Sequence, residues 1–199
     1  MRDTYYEESA GSARREVEAK KYSIVHVLSV ICFVLAGIHG FFCISFLQGV
    51  FTDPELSGLG RAIQTVMLLL PLVFLIGGGV LLFFRKRKYN VSYDYILVDD
   101  ELRVSRVYNG RKRKYLRTFK MDQILKIGFC ERDSFKDTLR GVQTKPSYLT
   151  PNREPMENKA FYYFLYSDSI EKRVYIVEAR VELLNNLVLA AGRNKLETR

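Results

Sequence analysis

Two long stretches of this chain carry no charge: residues 22–51 and residues 62–84 contain no Asp, Glu, Lys or Arg. Uncharged apolar runs of this length fit bilayer spans better than the core helices of soluble domains. At the α-helical rise, a first span over residues 22–47 is ~39 Å long and a second over 63–84 is ~33 Å. Both exceed the ~30 Å of hydrocarbon in a bilayer. A backbone in hydrocarbon must satisfy its own polar groups, so both segments are expected as helices. Pro71 predicts a kink in the second, because proline lacks an amide N–H and its ring crowds the preceding turn.

The flanking charges set an orientation. Lys20 and Lys21 precede the first span, and Arg85, Lys86, Arg87 and Lys88 follow the second. The connection between them, residues 48–62, holds only Asp53, Glu55 and Arg61. By the positive-inside rule both termini are cytoplasmic and the connection is outside. A cleavable signal peptide has an apolar core of about 7–15 residues, shorter than the first span, so that segment is expected to remain as an anchor. Ala36 and Gly40 in the first span, and Gly77, Gly78 and Gly79 in the second, predict close packing within a helical hairpin, with dimerisation as the other use of such residues. The net charge of +9 looks at first like that of a soluble basic protein. Its distribution says otherwise: the tail of residues 1–21 is neutral, residues 22–84 carry −1 and residues 85–199 carry +10. The excess lies on the side expected to face the anionic inner leaflet.

The tail has no apolar periodicity and is expected as a polar cytoplasmic segment; Tyr5 and Tyr6 beside Glu7 and Glu8 are weak evidence for a recognition motif. From Tyr89 onward the pattern changes to period two. Strands are expected over 91–98, 102–108, 113–119, 124–130, 161–166 and 173–177. Asp99-Asp100-Glu101 makes the first turn. Asn109-Gly110 makes the second, the strongest hairpin signal in the chain, since both central positions of a type I′ turn need positive φ. Residues 131–158 are polar, carry Pro146, Pro151 and Pro155, and read as a long loop with one short strand near 139–143. Val177, Val181, Leu184, Val188 and Ala191 trace one stripe of an amphipathic C-terminal helix that stops at Gly192.

The fold class is therefore α+β: a transmembrane hairpin over 22–84, then a cytoplasmic domain over 85–199 in the order of a pleckstrin-homology (PH)-like antiparallel barrel capped by a helix. The run Tyr93-Asp-Tyr-Ile-Leu-Val-Asp-Asp-Glu-Leu-Arg-Val-Ser-Arg-Val, then Arg111-Lys-Arg-Lys, then Phe119-Lys-Met-Asp-Gln-Ile resembles a family of small, uncharacterised bacterial membrane proteins. These have two N-terminal spans and a PH-like cytoplasmic domain. The resemblance covers roughly residues 20–130 well. It implies architecture and a bacterial origin, and no reaction; with the two spans, the expected place is the bacterial cytoplasmic membrane.

Site chemistry is sparse. The only histidines, His26 and His39, lie in the first span, thirteen positions apart and on different faces of a helix. His-based acid/base catalysis, nucleophile–His pairs and His-containing zinc sites are thereby excluded from the cytoplasmic domain. Cys32 and Cys43 are ~16 Å apart along a helix, and Cys130 is expected in a strand, so all three read as free thiols. Gly77-Gly78-Gly79 lacks the Lys-Ser/Thr of a phosphate loop. No catalytic, cofactor-binding or metal-ligating set is read, and the chain is expected not to be an enzyme.

Two basic clusters remain. Residues 85–88, with Lys20 and Lys21, read as topology flanks. Arg111, Lys112, Arg113 and Lys114 follow the hairpin turn, where side chains that project together could contact anionic lipid at roughly 1 kcal/mol each or could simply keep a sheet edge soluble. PH domains that bind phosphoinositides resemble one another in carrying Lys and Arg at the first hairpin; here that turn is Asp99-Asp100-Glu101, which speaks against inositol-phosphate recognition. The leading expectation is a non-enzymatic interaction or scaffold module with a protein partner. The alternative is an anionic-lipid-binding module. Nucleic-acid binding by basic residues interleaved with Tyr108, Tyr115 and Phe119 is disfavoured by the membrane tether and by scattered acidic residues. Transport is disfavoured by spans without charged residues.

Overall fold

The structure, a computed structural model, describes residues 5–168 and 171–197. Residues 1–4 of the expected tail lie outside the described residues. The chain divides into two units, residues 16–89 and residues 1–15 together with 90–199.

The first unit is a helical hairpin of α1 (Arg15–Thr52) and α2 (Gly58–Arg85). Ser57 starts α2 as an N-cap, its Oγ accepting the Gly60 amide at 3.1 Å. The buried residues of α1 are Ser29, Ala36 and Cys43, spaced seven apart and all small, so they form one narrow seam. Opposite them lies Gly79, where a Cβ would come within 3.0 Å of the Phe33 ring. Gly77 and Gly78 face open space, so one glycine of the three makes the close approach. Ser29 Oγ donates to the Gly79 carbonyl at 2.9 Å. Away from the seam the large apolar side chains are exposed, Phe41 by 70 % and Phe74 by 71 %. Both helices are long and apolar enough to cross a membrane.

The second unit is built from β1 (Tyr5–Ala10), β2 (Val91–Val98), β3 (Glu101–Tyr108), β4 (Lys112–Lys120), β5 (Ile124–Phe129), α3 (Asp133–Arg140), β6 (Ser147–Tyr148), β7 (Ala160–Ser167), β8 (Lys172–Ala179) and α4 (Val181–Ala191). The strands form two four-stranded sheets, in the orders β1-β2-β3-β4 and β5-β7-β8-β6. Every pairing is antiparallel except β6 on β8. Tyr95, Leu97, Leu102, Val104 and Phe119 of the first sheet bury against Ile127, Tyr162, Phe164 and Val177 of the second. Phe119 sits edge-on to Phe164, Tyr166 and Tyr175, with ring centroids 5.0, 5.2 and 4.6 Å away. Leu183, Leu184, Leu187 and Val188 of α4 close this core.

Four expectations need correction. The sheets stack as a sandwich and do not close into a barrel. The expected polar tail contains a strand: β1 pairs with β2 from Tyr5↔Val98 to Ala10↔Tyr93. Within residues 131–158 the chain forms α3 and the two-residue β6, with no strand at 139–143. Phe135 and Leu139 of α3 cover Tyr163, Val174 and Ile176 on the outer face of the second sheet. Finally, α4 buries residues 183, 184, 187 and 188, while Val181 is 56 % exposed and Val177 belongs to β8. Apolar residues run around much of α4, so periodicity alone could not choose the buried face.

β1 and β2 are partners in one sheet, yet the whole helical unit lies between them in the chain. The hairpin is thus an insertion between two adjacent strands.

Candidate functional site

The Asn109-Gly110 turn forms as expected, with φ of 52° and 66°. Its place is informative. The Asn109 amide donates to the Asn90 carbonyl at 2.8 Å, and Asn90 Nδ2 donates to Asn109 Oδ1 at 2.6 Å. The turn is therefore fixed to the residue at which the chain comes in from α2. The acidic turn at Asp99, with φ of 50°, lies at the other end of the eight-residue strands β2 and β3, ~24 Å away. The basic run and the acidic turn thus sit at opposite ends of these strands.

The four cations after the turn do not form one patch. Successive residues of a strand point to opposite faces, so Lys112 and Lys114 project to one side of β4 and Arg113 to the other. Arg113 Nε lies 3.2 Å from Asp94 Oδ2, and Ser9 Oγ donates to Asp94 Oδ1 at 2.6 Å. Asp94 is 4 % exposed, so Arg113 is committed to neutralising it. Arg111, Lys112 and Lys114 are exposed and, among the described residues, form no ion pair.

A buried polar junction fastens the N-terminal strand to the rest of the unit. Glu178, fully buried, accepts from Thr150 Oγ1, from Asn152 Nδ2 at 2.8 Å and from the Met156 amide at 2.9 Å. Asn152 Nδ2 also donates to the Gly11 carbonyl at 2.8 Å, and its Oδ1 accepts from the Ala13 amide at 2.8 Å. Glu8 pairs with Lys159 Nζ at 3.0 Å and accepts from the Arg180 amide at 3.1 Å, which puts a carboxylate at the N-terminus of α4. Thr150, Asn152 and Met156, within the 131–158 stretch read as loop from the sequence, and Lys159 just after it supply these partners. Sequence reasoning missed the junction because its inward residue Glu8 breaks the apolar alternation that marks a strand. An open groove of about 850 Å3 runs beside it, lined by Lys159, Ala160, Tyr162, Arg180, Val181 and Glu182 among others.

A second junction holds the C-terminal segment. Glu197 accepts from Lys126 Nζ at 2.6 Å and Tyr163 Oη at 2.5 Å, and its amide donates to the Ile127 carbonyl at 2.8 Å. Burial opposes ionisation of Glu197, but the bonds from Lys126 and Tyr163 outweigh it and hold the carboxyl below its ordinary value. Gly128 leaves room for this arrangement: a Cβ there would lie 2.7 Å from the Tyr163 ring and 2.8 Å from Glu197 Oε2.

The histidines serve packing in the helical unit. His39 Nε2 lies 3.0 Å from the Leu68 carbonyl, and His26 Nδ1 lies 3.0 Å from Lys86 Nζ. Of the flanking cations, Lys86 is buried at 7 % exposure, whereas Lys20, Lys21, Arg85, Arg87 and Lys88 are not buried. Cys130 lies one residue past the end of β5, and burial, with the charge of Glu131, pushes its thiol up to about 12. Among the described residues no group of three or more His, Cys, Asp or Glu could hold a metal ion.

Neither a curated protein nor a solved structure matches the chain. Residues 56–195 match a family described as Bacterial PH-like domain (DUF6106). The match takes in α2 and the strands from β2 onward, and leaves α1 and β1 outside it. On that match, which covers well over half of its length, the chain belongs to the bacterial PH-like domain family.

Proposed function

We propose that α1 and α2 anchor the chain in the bacterial cytoplasmic membrane with both termini cytoplasmic, and that the PH-like unit is a non-enzymatic interaction module working against the inner leaflet. The supporting observation is the insertion of the hairpin between β1 and β2. Paired strands share one compartment, so the chain ends on either side of the hairpin do too. The basic flanks at residues 20–21 and 85–88 support the cytoplasm as that compartment. The basic turn is bonded to Asn90, two residues beyond Lys88 in the chain. The acidic turn is at the far end of the sheet. On this reading Arg111, Lys112 and Lys114 meet anionic headgroups for ~1 kcal/mol each, and the far end is left for a protein partner. The non-enzymatic reading draws support from two histidines engaged in helix packing and a thiol protonated at neutral pH.

The test uses the full chain, because a fragment starting at residue 89 would lack β1. In lipid nanodiscs containing phosphatidylglycerol, amides of 109–114 are expected to be more protected from hydrogen exchange than in phosphatidylcholine discs. The difference should vanish at high salt and in the combined variant Arg111→Gln, Lys112→Gln, Lys114→Gln. Equal exchange in the two lipids would sink the lipid contact. Crosslinking from the native membrane tests the protein partner, and recovery of the chain alone would count against it.

A further inference from the structure

We propose that the open end of the α1–α2 hairpin is a binding site for an anionic lipid headgroup, with a phosphate oxygen held by Lys86 Nζ. This rests on the membrane reading of the two helices but is separate from the basic turn. Lysine is almost never buried unless its charge is paired. Lys86 is 7 % exposed, and the acceptor it has is His26 Nδ1 at 3.0 Å, an uncharged atom. Among the described residues no carboxylate forms an ion pair with it. An ammonium has three donors, so two remain for oxygens that the protein does not supply. The Phe83 face, 3.9 Å from Nζ, stabilises the cation and fixes its position. The Arg87 guanidinium, 5.6 Å from the same ring, brings a second positive charge to the spot. Tyr22 closes the other side at 6.0 Å.

Ordinary snorkelling does not explain this arrangement. A snorkelling lysine buries its stem and keeps its head in water, which Lys88 is free to do on its exposed position; Lys86 has its head inside. A buried cation without a counter-charge is costly, and Lys86 lies one residue past the end of α2, in the basic run that flanks the second span. Basic pockets between helices on the cytoplasmic side suit anionic headgroups. The phosphodiester of such a lipid offers the oxygens that the two remaining donors lack. Free phosphate has the same chemistry, and the experiment separates the two.

The full chain is purified in detergent, offered phosphatidylglycerol or phosphatidylcholine, and bound lipid is counted by native mass spectrometry. One phosphatidylglycerol is expected to be retained, with affinity falling at least ~10-fold in Lys86→Gln. Lys86→Arg, Lys88→Gln and the triple basic-turn variant are expected to hold it within about twofold. An equal loss in K86Q and K88Q would overturn the site in favour of diffuse attraction to the flank. In the unsubstituted chain, the Lys86 ammonium resonance should shift with phosphatidylglycerol and not with inorganic phosphate; an equal response to phosphate would overturn the lipid assignment. This readout stands even if K86Q does not fold. Loss of lipid retention in the triple variant alone would leave the basic turn standing and overturn the Lys86 site, whereas recovery of the chain from the soluble fraction would overturn both.

Discussion

Removing the Glu8 carboxylate tests whether the N-terminal segment is part of the domain. In Glu8→Ala the Lys159 ammonium, in a side chain only 10 % exposed, loses its partner at 3.0 Å. The Arg180 amide loses an acceptor at 3.1 Å. Stranding one member of a buried ion pair costs ~3–5 kcal/mol. Lys159 keeps the Ser9 carbonyl at 2.6 Å, so the lower figure applies, about 3 kcal/mol. With a urea dependence of ~2 kcal/mol per molar, the midpoint should fall by ~1.5 M. The assay is urea unfolding of the full chain in micelles, followed by the near-ultraviolet circular dichroism of the buried tyrosines. Glu7→Ala is the control: Glu7 lies on the exposed face of the same strand, bonded to Tyr5 Oη at 2.8 Å, and its loss should stay within ~0.5 kcal/mol. Adding Lys159→Met to Glu8→Ala removes the stranded cation and should restore at least ~1 kcal/mol. If E8A and E7A shifted the midpoint equally, β1 would not be docked and the segment would behave as the polar tail that its composition suggests.

Gly128→Ala should destabilise the domain by ~1–3 kcal/mol, because the added methyl meets the Tyr163 ring at 2.7 Å; an unchanged melting temperature would show that the ring moves away freely. Cys130, with its thiol pushed up to about 12, should react with iodoacetamide ~10³-fold more slowly than a free thiol near neutral pH, and alkylation at the free-thiol rate would contradict its burial. Glu197 has a folded value below its unfolded one. Its contribution is therefore full above the ordinary glutamate range, ~4.3, and is lost as pH falls through the lower folded value. Glu197→Gln should accordingly flatten the acid limb of a stability–pH curve, and a superimposable limb would refute the assignment.

What was legible in the sequence is what local pattern fixes. The Asn109-Gly110 turn, the strands on either side of it and the two apolar helices all follow from neighbouring residues, and all are present. What was not legible depends on distant partners. β1 shows Tyr6, Glu8 and Ala10 to the inside, and a carboxylate at an inward position hides a strand until Lys159 and Arg180 supply its partners. The short helix α3 is polar over most of its length, and its ties to the sheet are Phe135, Leu139 and the Thr138 hydroxyl, which bonds Lys126 and Tyr163. The basic run after the turn was visible as charge, but its division was not, since the carboxylate that claims Arg113 sits on β2. Lys86 looked like its neighbours at 85, 87 and 88 until burial separated it from them.

The insertion of the hairpin also bears on how the sheet closes. Ala10 and Val91 lie about 80 residues apart in the chain, yet they end and begin neighbouring strands. Closing a flexible loop of that length carries an entropic cost that grows as the logarithm of its length. When α1 and α2 are already packed along the Ser29–Ala36–Cys43 seam, the residues still to be ordered are the two short connections, about ten in all. The difference, (3/2)RT ln 8, is ~2 kcal/mol in favour of docking β1. That is comparable to the Glu8 contribution and acts at the same place. The helical unit therefore supports the sheet through the chain: once packed, it shortens the flexible loop between β1 and β2 and so raises the effective concentration of β1 at the edge of β2.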